Sequence, residues 1–157
     1  RLECALHRAH MAPDPPIPPT GLAHLGDRDP ASVVLVPTAA MALIESKWPV
    51  LRIHAAHARD APSDAFAAAR RALANGESDA VVVWREGYRT RADAVAATDL
   101  AWWRALMAQV SLAEALDQAG AVFNFQDWLL QALVKLWLAE VRLIDLPTPD
   151  ATAEPTS

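Results

Sequence analysis

Residues 79–95 read Asp-Ala-Val-Val-Val-Trp-Arg-Glu-Gly-Tyr-Arg-Thr-Arg-Ala-Asp-Ala-Val and carry the strongest strand signal in the chain. Two β-forming runs, 80–84 and 88–91, flank a turn that contains Gly87. Glycine adopts the positive φ that a tight hairpin turn requires. The stretch therefore predicts a β-hairpin, and the other elements must pack around the sheet that this hairpin starts.

The register of the hairpin depends on the length of its turn. A two-residue turn pairs Arg85 with Tyr88 and Trp84 with Arg89. Because side chains alternate between the two faces of a strand, this register places Arg89 and Arg91 on the face of Trp84. A bulged turn would change the assignment.

Shorter signals on both sides of the hairpin predict further strands and helices. Upstream they predict two strands and then two helices: residues 33–36, 40–44, 49–58 and 65–74. Downstream they predict three helices and a closing strand: residues 99–110, 111–120, 124–139 and 141–144. A helix, a short helix, a long helix and a strand follow one another in this order in winged helix-turn-helix domains. The sequence thus predicts an α+β class, with a winged helix-turn-helix-like domain and a small antiparallel sheet.

Prolines divide the chain into segments. Residues 1–12 have apolar side chains at helical spacing, whereas residues 13–30 contain six prolines and two glycines. We predict that the first segment is the last helix of an N-terminal helical domain and that the second is an extended, Pro-rich linker. The α/β domain then covers residues 31–146, and residues 147–157 form a disordered tail. Because the first residue is Arg1 instead of methionine, we expect that the natural chain begins earlier.

Length and composition limit the class of protein. The chain has 157 residues, of which 53% are hydrophobic, and this is enough for one core. Its one cysteine cannot form an internal disulfide, and no apolar run approaches the roughly 18 residues of a membrane span. These features predict a cytoplasmic protein without a membrane partner. The net charge of −5 disfavours duplex DNA as a partner, because a DNA-binding face must neutralise phosphates.

Patterns for catalysis and metal binding are weak. The sequence has no nucleophile elbow, no phosphate-binding loop among its five glycines and no evident base for Cys4. His54 and His57 could share one helix face, but a metal site needs further ligands. The spacing of Cys4, His7 and His10 is not that of a zinc site. The sequence therefore predicts no catalytic residue, no metal ligand and no cofactor.

The hairpin is the candidate contact surface, since tryptophan and arginine concentrate in binding hot spots. We assign peptide or partner binding to Arg85, Tyr88, Arg89 and Arg91, which would meet an acidic peptide. The alternative is that Trp84 belongs to the core and that the arginines are its solvated rim.

The tryptophans also bear on packing. Trp102 and Trp103 are neighbours in the predicted helix 99–110, so we expect at least one of them to be partly exposed.

DNA recognition would require the long helix 124–139 to enter the major groove. That helix offers only Asn124, Gln126, Gln131 and Lys135 as readers of base edges. A helix-turn-helix shape without a basic recognition helix more often binds protein or peptide, frequently by adding a strand to the sheet edge beside that helix.

The succession of several segments resembles the bacterial HvfC/BufC-type family, whose members carry the label of a DNA-binding domain. The resemblance spans residues 2–146, and besides the Pro-rich break its segments are Leu2-Glu3-Cys4-Ala5-Leu6, Leu35-Val36-Pro37, Trp48-Pro49-Val50, Val83-Trp84-Arg85-Glu86-Gly87 and Ser111-Leu112-Ala113-Glu114-Ala115-Leu116.

This resemblance implies a function. Members of the family are similar to the non-catalytic partner subunits of multinuclear iron oxidases. These oxidases modify cysteines of ribosomal precursor peptides, including the precursors of methanobactin and of copper-binding bufferins. Their C-terminal domain resembles winged-helix elements that recognise precursor peptides. The chain would then bind the leader of a precursor peptide and present it to an oxidase subunit that holds the iron. The alternatives are a DNA-binding transcriptional regulator and, with less support, a small enzyme.

Overall fold

A computed structural model of the chain describes residues 1–145 as a mixed α/β fold, as the sequence predicts. Its seven helices are α1 (Leu2–Met11), α2 (His24–Asp27), α3 (Val50–Ala56), α4 (Ala65–Ala74), α5 (Leu100–Ala108), α6 (Leu112–Ala119) and α7 (Phe125–Val134). Its five strands are β1 (Val33–Pro37), β2 (Ala42–Ser46), β3 (Asp79–Glu86), β4 (Arg89–Ala94) and β5 (Leu138–Leu143). The predicted disordered tail, 147–157, lies outside the described residues.

The strands form two small antiparallel sheets within the described part of the chain. One sheet has the order β2-β3-β4, and the other pairs β1 with β5. The α3–α4 pair is inserted between β2 and β3, whereas α5, α6 and α7 follow β4. None of the helices in residues 1–145 has both the length and the apolar content that a bilayer crossing needs.

The β3–β4 hairpin is confirmed, but its register differs from the predicted one. Glu86 pairs with Arg89 and Trp84 with Arg91, so the two-residue turn consists of Gly87 and Tyr88. Gly87 has φ +58° at the first turn position, where a type II′ turn requires glycine. Because the register moves by two residues, Arg89 and Arg91 still lie on the face of Trp84, as predicted.

The apolar run of β3 is continuous because helices cover both faces of its sheet. On one face, Val81 and Val83 form a buried cluster with Leu2 and Ala9 of α1. On the other face, Trp84 joins the main core under α5, α6 and α7. A strand that is buried on both sides has no need for alternating polar residues.

The main core is an aromatic cluster, and the expectation for Trp102 and Trp103 is wrong. Both are buried, with exposed fractions of 0% and 5%. The Trp102 ring stacks on Phe123 with 4.5 Å between centroids, while Trp103 packs edge-on against Trp137 at 5.1 Å. Both side chains are buried because α5 packs against β1, β2 and α6, and because Trp128 of α7 contacts both rings.

An ion pair links α5 to the three-stranded sheet. The Arg104 Nε donates to Oε1 of Glu45 at 2.9 Å, which connects α5 to β2. This hydrogen bond lowers the pKa of the Glu45 carboxyl group below its ordinary value.

The long helix predicted over 124–139 is shorter in the structure. It ends at Val134, and Leu136 has φ +55° in the left-handed region. The Trp137 N–H donates back to the Ala132 carbonyl at 2.8 Å, which closes the helix as a Schellman motif does. The chain then continues into β5, so the predicted strand at 141–144 begins earlier.

Residues 13–30 are not extended throughout. They contain α2, and Thr20 bridges to β5: its N–H donates to Ala139 at 3.1 Å, and the Val141 N–H donates to Thr20 at 2.7 Å. At the adjacent Gly21, a Cβ atom would lie 2.2 Å from the Val141 carbonyl oxygen, so only glycine fits this close approach.

The predicted helix at residues 1–12 is confirmed as α1, which packs on the β2-β3-β4 sheet. Arg85 fastens its C-terminal end, because the guanidinium donates to the His10 and Ala12 carbonyls and pairs with Asp14. The assignment of 1–12 to a separate N-terminal domain stays a prediction.

Candidate functional site

A cleft of about 420 Å³ lies between the end of β4 and α7. The sheet side contributes Val82, Asp93 and Ala94, and α7 contributes Asp127 and Gln131. Concave surfaces of this size are where ligands and peptides bind.

The outer edge of β4 borders this cleft, and its backbone has no strand partner among residues 1–145. In an antiparallel ladder, hydrogen-bonded pairs alternate with pairs whose N–H and C=O groups point away from the neighbouring strand. The Val95 N–H donates to Ala80 at 2.8 Å, which makes this a bonded pair. It follows from the register that the backbone groups of Thr90, Ala92 and Ala94 point outward from β3. These groups can hydrogen-bond an added strand.

The floor of the cleft is aromatic. Trp103, Trp128 and Trp137 line it, and each is at least nine-tenths buried. The indole N–H groups of Trp128 and Trp137 have no hydrogen-bond partner in residues 1–145. Because these nitrogens are themselves buried, the floor offers a ligand apolar area.

The rim of the cleft is acidic. Asp93, Asp99 and Asp127 all line it. The Asn124 side-chain amide donates to Asp127 at 2.7 Å, and the hydroxyl of Thr98 donates to Asp99 at 3.0 Å, so two of these carboxylates are held in place. Three carboxylates at one rim favour a basic group on the ligand.

Lys135 is the basic residue of the cleft, and it is already engaged. Its Nζ lies over the rings of Trp84 and Trp137, at 5.2 Å and 4.9 Å from the centroids. Such cation–π contacts hold the ammonium group against the core.

The four predicted contact residues do not form one surface. Arg85 is on the α1 face of the sheet, and its side chain is only 11% exposed. Tyr88 is 94% exposed at the tip of the turn. Arg89 and Arg91 are exposed on β4, and Arg91 Nε donates to Glu86 at 2.9 Å. Trp84 is buried, in agreement with the alternative interpretation that it belongs to the core.

The sequence reasoning missed the acidic rim. Asp93 follows Arg89 and Arg91 at alternate positions of β4, so all three lie on one face of the strand. That alternation was a usable signal for Asp93. Asp99 comes close to it at the start of α5, and Asp127 through the placement of α7, which no local pattern indicates.

The predicted readers of base edges are largely committed to other contacts. The Asn124 side chain accepts from the Asp127 N–H at 3.1 Å and caps α7, and Lys135 lies beyond the end of that helix. Between 125 and 134 the helix carries one charged residue, Asp127, which phosphates would repel.

Within residues 1–145, no group of three or more His, Cys, Asp or Glu side chains is arranged to hold a metal ion. His54 is exposed on α3, and His57 is exposed directly after the end of that helix. Cys4 is exposed on α1.

No protein-family model, no curated protein and no solved structure matches the chain. The geometry of the β4 edge and its cleft is therefore the basis for assigning a function.

Proposed function

We propose that the chain is a non-catalytic recognition protein that binds the leader of a precursor peptide as an added strand on β4. The observation that carries this proposal is the outer edge of β4 beside the cleft at α7, which pairs with no strand in the described part of the chain. Strand addition supplies affinity through backbone hydrogen bonds, and the neighbouring pocket supplies specificity through side chains.

The order of elements supports a winged-helix interpretation of this region. The helices α5, α6 and α7 follow the three-stranded sheet and lead into β5. Ser111 caps α6 by accepting from the Glu114 N–H at 3.2 Å, as the capping box predicts, and the same residue bridges to Val34 of β1. The third of these helices, α7, lines one cleft with the end of β4. A peptide that adds a strand beside a helix would bind at this edge.

The resemblance to the HvfC/BufC-type family supports the biological role. On that basis, the chain acts in the cytoplasm as the partner of a multinuclear iron oxidase. The two proteins would produce a modified ribosomal peptide of a class that includes copper-binding peptides. The iron belongs to the oxidase subunit, and this chain brings the leader to it.

The charges along β4 indicate which peptide fits. Arg89 and Arg91 lie toward the hairpin turn, and Asp93 lies toward the cleft, where Asp99 and Asp127 join it. A peptide along this edge should therefore carry acidic side chains toward the turn and a basic side chain at the cleft, with apolar residues against the tryptophans.

A DNA-binding regulator is the alternative, and salt dependence separates the two. Release of counterions makes the affinity for DNA fall steeply with salt. A strand-addition interface with an aromatic floor depends on salt far less, since its backbone hydrogen bonds and apolar area do not release counterions.

The charge-reversal variant Arg89→Glu with Arg91→Glu should weaken binding of a synthetic candidate leader peptide by about tenfold, since each rim charge contributes on the order of 1 kcal/mol or less. Fluorescence anisotropy at fixed ionic strength measures this. The control is Arg28→Glu, which reverses an exposed charge next to α2.

A peptide whose acidic residues are changed to lysine should regain affinity for the double variant. Equal affinities of the double variant and the control would remove Arg89 and Arg91 from the binding surface. In that case a substitution of Ala94, whose N–H points away from β3, would test the β4 edge itself.

A further inference from the structure

The α3–α4 pair is an insertion whose own packing is sparse. It lies between β2 and β3 in the chain, and α4 packs chiefly against α3. Only Ala69 and Ala72 are buried among the ten residues of α4. A ten-residue helix that buries two alanines gains little from tertiary packing, and isolated helices of this length are marginal in water.

The large apolar side chains of α4 stay half-exposed at the margin of its packing against α3. Phe66 and Leu73 are 54% and 40% exposed. With Ala69 they follow the spacing of one helical face, and the same surface continues to Ile53 of α3 and to His57, which follows α3. The His57 ring packs edge-on against Phe66 at 5.2 Å, and these residues outline a shallow groove of about 190 Å³.

The segment that forms the groove is basic in an acidic chain. Residues 47–74 hold five of the 14 lysines and arginines but only two of the 19 acidic residues. Arg70 lines the groove itself. Arg52 pairs with Glu77 at 3.5 Å, whereas Arg59, Arg70 and Arg71 form no ion pair among residues 1–145.

We propose that this α3–α4 groove, defined by Ile53, His57, Phe66, Arg70 and Leu73, docks an amphipathic, acidic helix of a partner protein. Apolar side chains of that helix would cover Phe66 and Leu73, and its carboxylates would meet the unpaired arginines. The surface is separate from the β4 cleft, so it goes beyond the proposed peptide binding and does not depend on it.

Two other occupants fit less well. Nucleic acid would use the arginines but gain nothing specific from an aliphatic centre at Ile53 and Leu73. A second copy that met this surface with the same surface would bring like charges together, because a two-fold interface pairs each patch with itself.

The test uses a synthetic, helix-stabilised peptide with leucines at i, i+3, i+4 and i+7 and glutamates on its flanks. Its matched control replaces every glutamate with lysine. Titration of the isotope-labelled full chain, followed by NMR, should show chemical-shift changes at Phe66, Arg70 and Leu73 for the acidic peptide. The basic peptide should bind at least about tenfold more weakly.

Variants then locate the contact. Phe66→Ala with Leu73→Ala should weaken binding of the acidic peptide at least about tenfold, and so should Arg70→Glu. These side chains are exposed, so the fold should remain. Val134→Ala, a change of an apolar residue on α7 that is even more exposed, should leave affinity unchanged.

Three results would overturn the proposal. The acidic and basic peptides could bind equally, the groove variants could bind as the wild type does, or duplex DNA could displace the acidic peptide from the groove. Proline at position 94 would remove the outward N–H of β4, and Ala94 does not line the α3–α4 groove. Binding of the acidic helix should therefore survive the change Ala94→Pro. Unchanged leader binding in the Ala94→Pro variant would count against the proposed function and not against the α3–α4 groove.

Discussion

Replacement of Trp102 by alanine should lower the free energy of unfolding by about 3–5 kcal/mol. Trp102 is fully buried, with an exposed fraction of 0%, and its ring contacts Phe123, Phe125 and Trp128 at centroid distances of 4.5, 5.5 and 4.7 Å. The change would leave a large cavity among side chains that cannot collapse into it. Urea unfolding followed by circular dichroism measures the loss.

The matched control is Trp48→Ala, because Trp48 is 52% exposed. Its loss should stay below about 1 kcal/mol, as for most surface changes. Trp128→Ala should behave like Trp102→Ala, since Trp128 joins α7 to the same cluster. Equal losses for Trp48 and Trp102 would contradict the placement of the aromatic core.

The second large effect concerns the β4 edge: Ala94→Pro should weaken leader binding by about a hundredfold or more. Proline removes the outward N–H of Ala94 and places its ring where an added strand must approach. Loss of a hydrogen bond together with this clash amounts to roughly 3 kcal/mol, which corresponds to a hundredfold change. Binding of a labelled leader peptide gives the measurement.

The fold should tolerate this proline. Ala94 is exposed, and its N–H points away from β3, so no ladder bond is lost. Ala94→Ser keeps the N–H and is the matched control, with affinity near that of the wild type. If the proline variant binds the leader as the serine variant does, the peptide does not pair with β4.

Local signals predicted much of the fold. The Ser111 capping box starts α6, and Asn124 starts α7 by accepting from the Asp127 N–H. Gly87 marks the β3–β4 turn, although a type II′ turn places it one position earlier than the predicted pairing assumed. Caps and turns depend on a few neighbouring residues, so the sequence alone carries their signal.

The end of α7 shows where a local pattern fails. Apolar residues continue at helical spacing through Trp137, and no glycine marks the stop. The left-handed residue is Leu136, a residue type that rarely adopts positive φ. Packing of Trp137 against Trp84 and Trp103 accompanies that conformation, and these are contacts between distant parts of the chain.

The candidate site was predicted only in part, for the same reason. Arg89 and Arg91 are on the strand that borders the cleft, but Arg85 is used to hold α1. Composition and alternation can mark a hairpin as a surface. They cannot reveal that α7 brings Asp127 to Asp93, because that contact depends on tertiary packing.

Residue-resolved amide hydrogen exchange, with and without a bound leader peptide, tests the central claim most directly. Strand addition on β4 predicts that exchange at Thr90, Ala92 and Ala94 slows by at least about tenfold in the complex, because their outward N–H groups become hydrogen-bonded. Arg91 and Asp93, which already bond to β3, should change less. A bound leader that leaves exchange at those three amides unchanged would contradict the proposal.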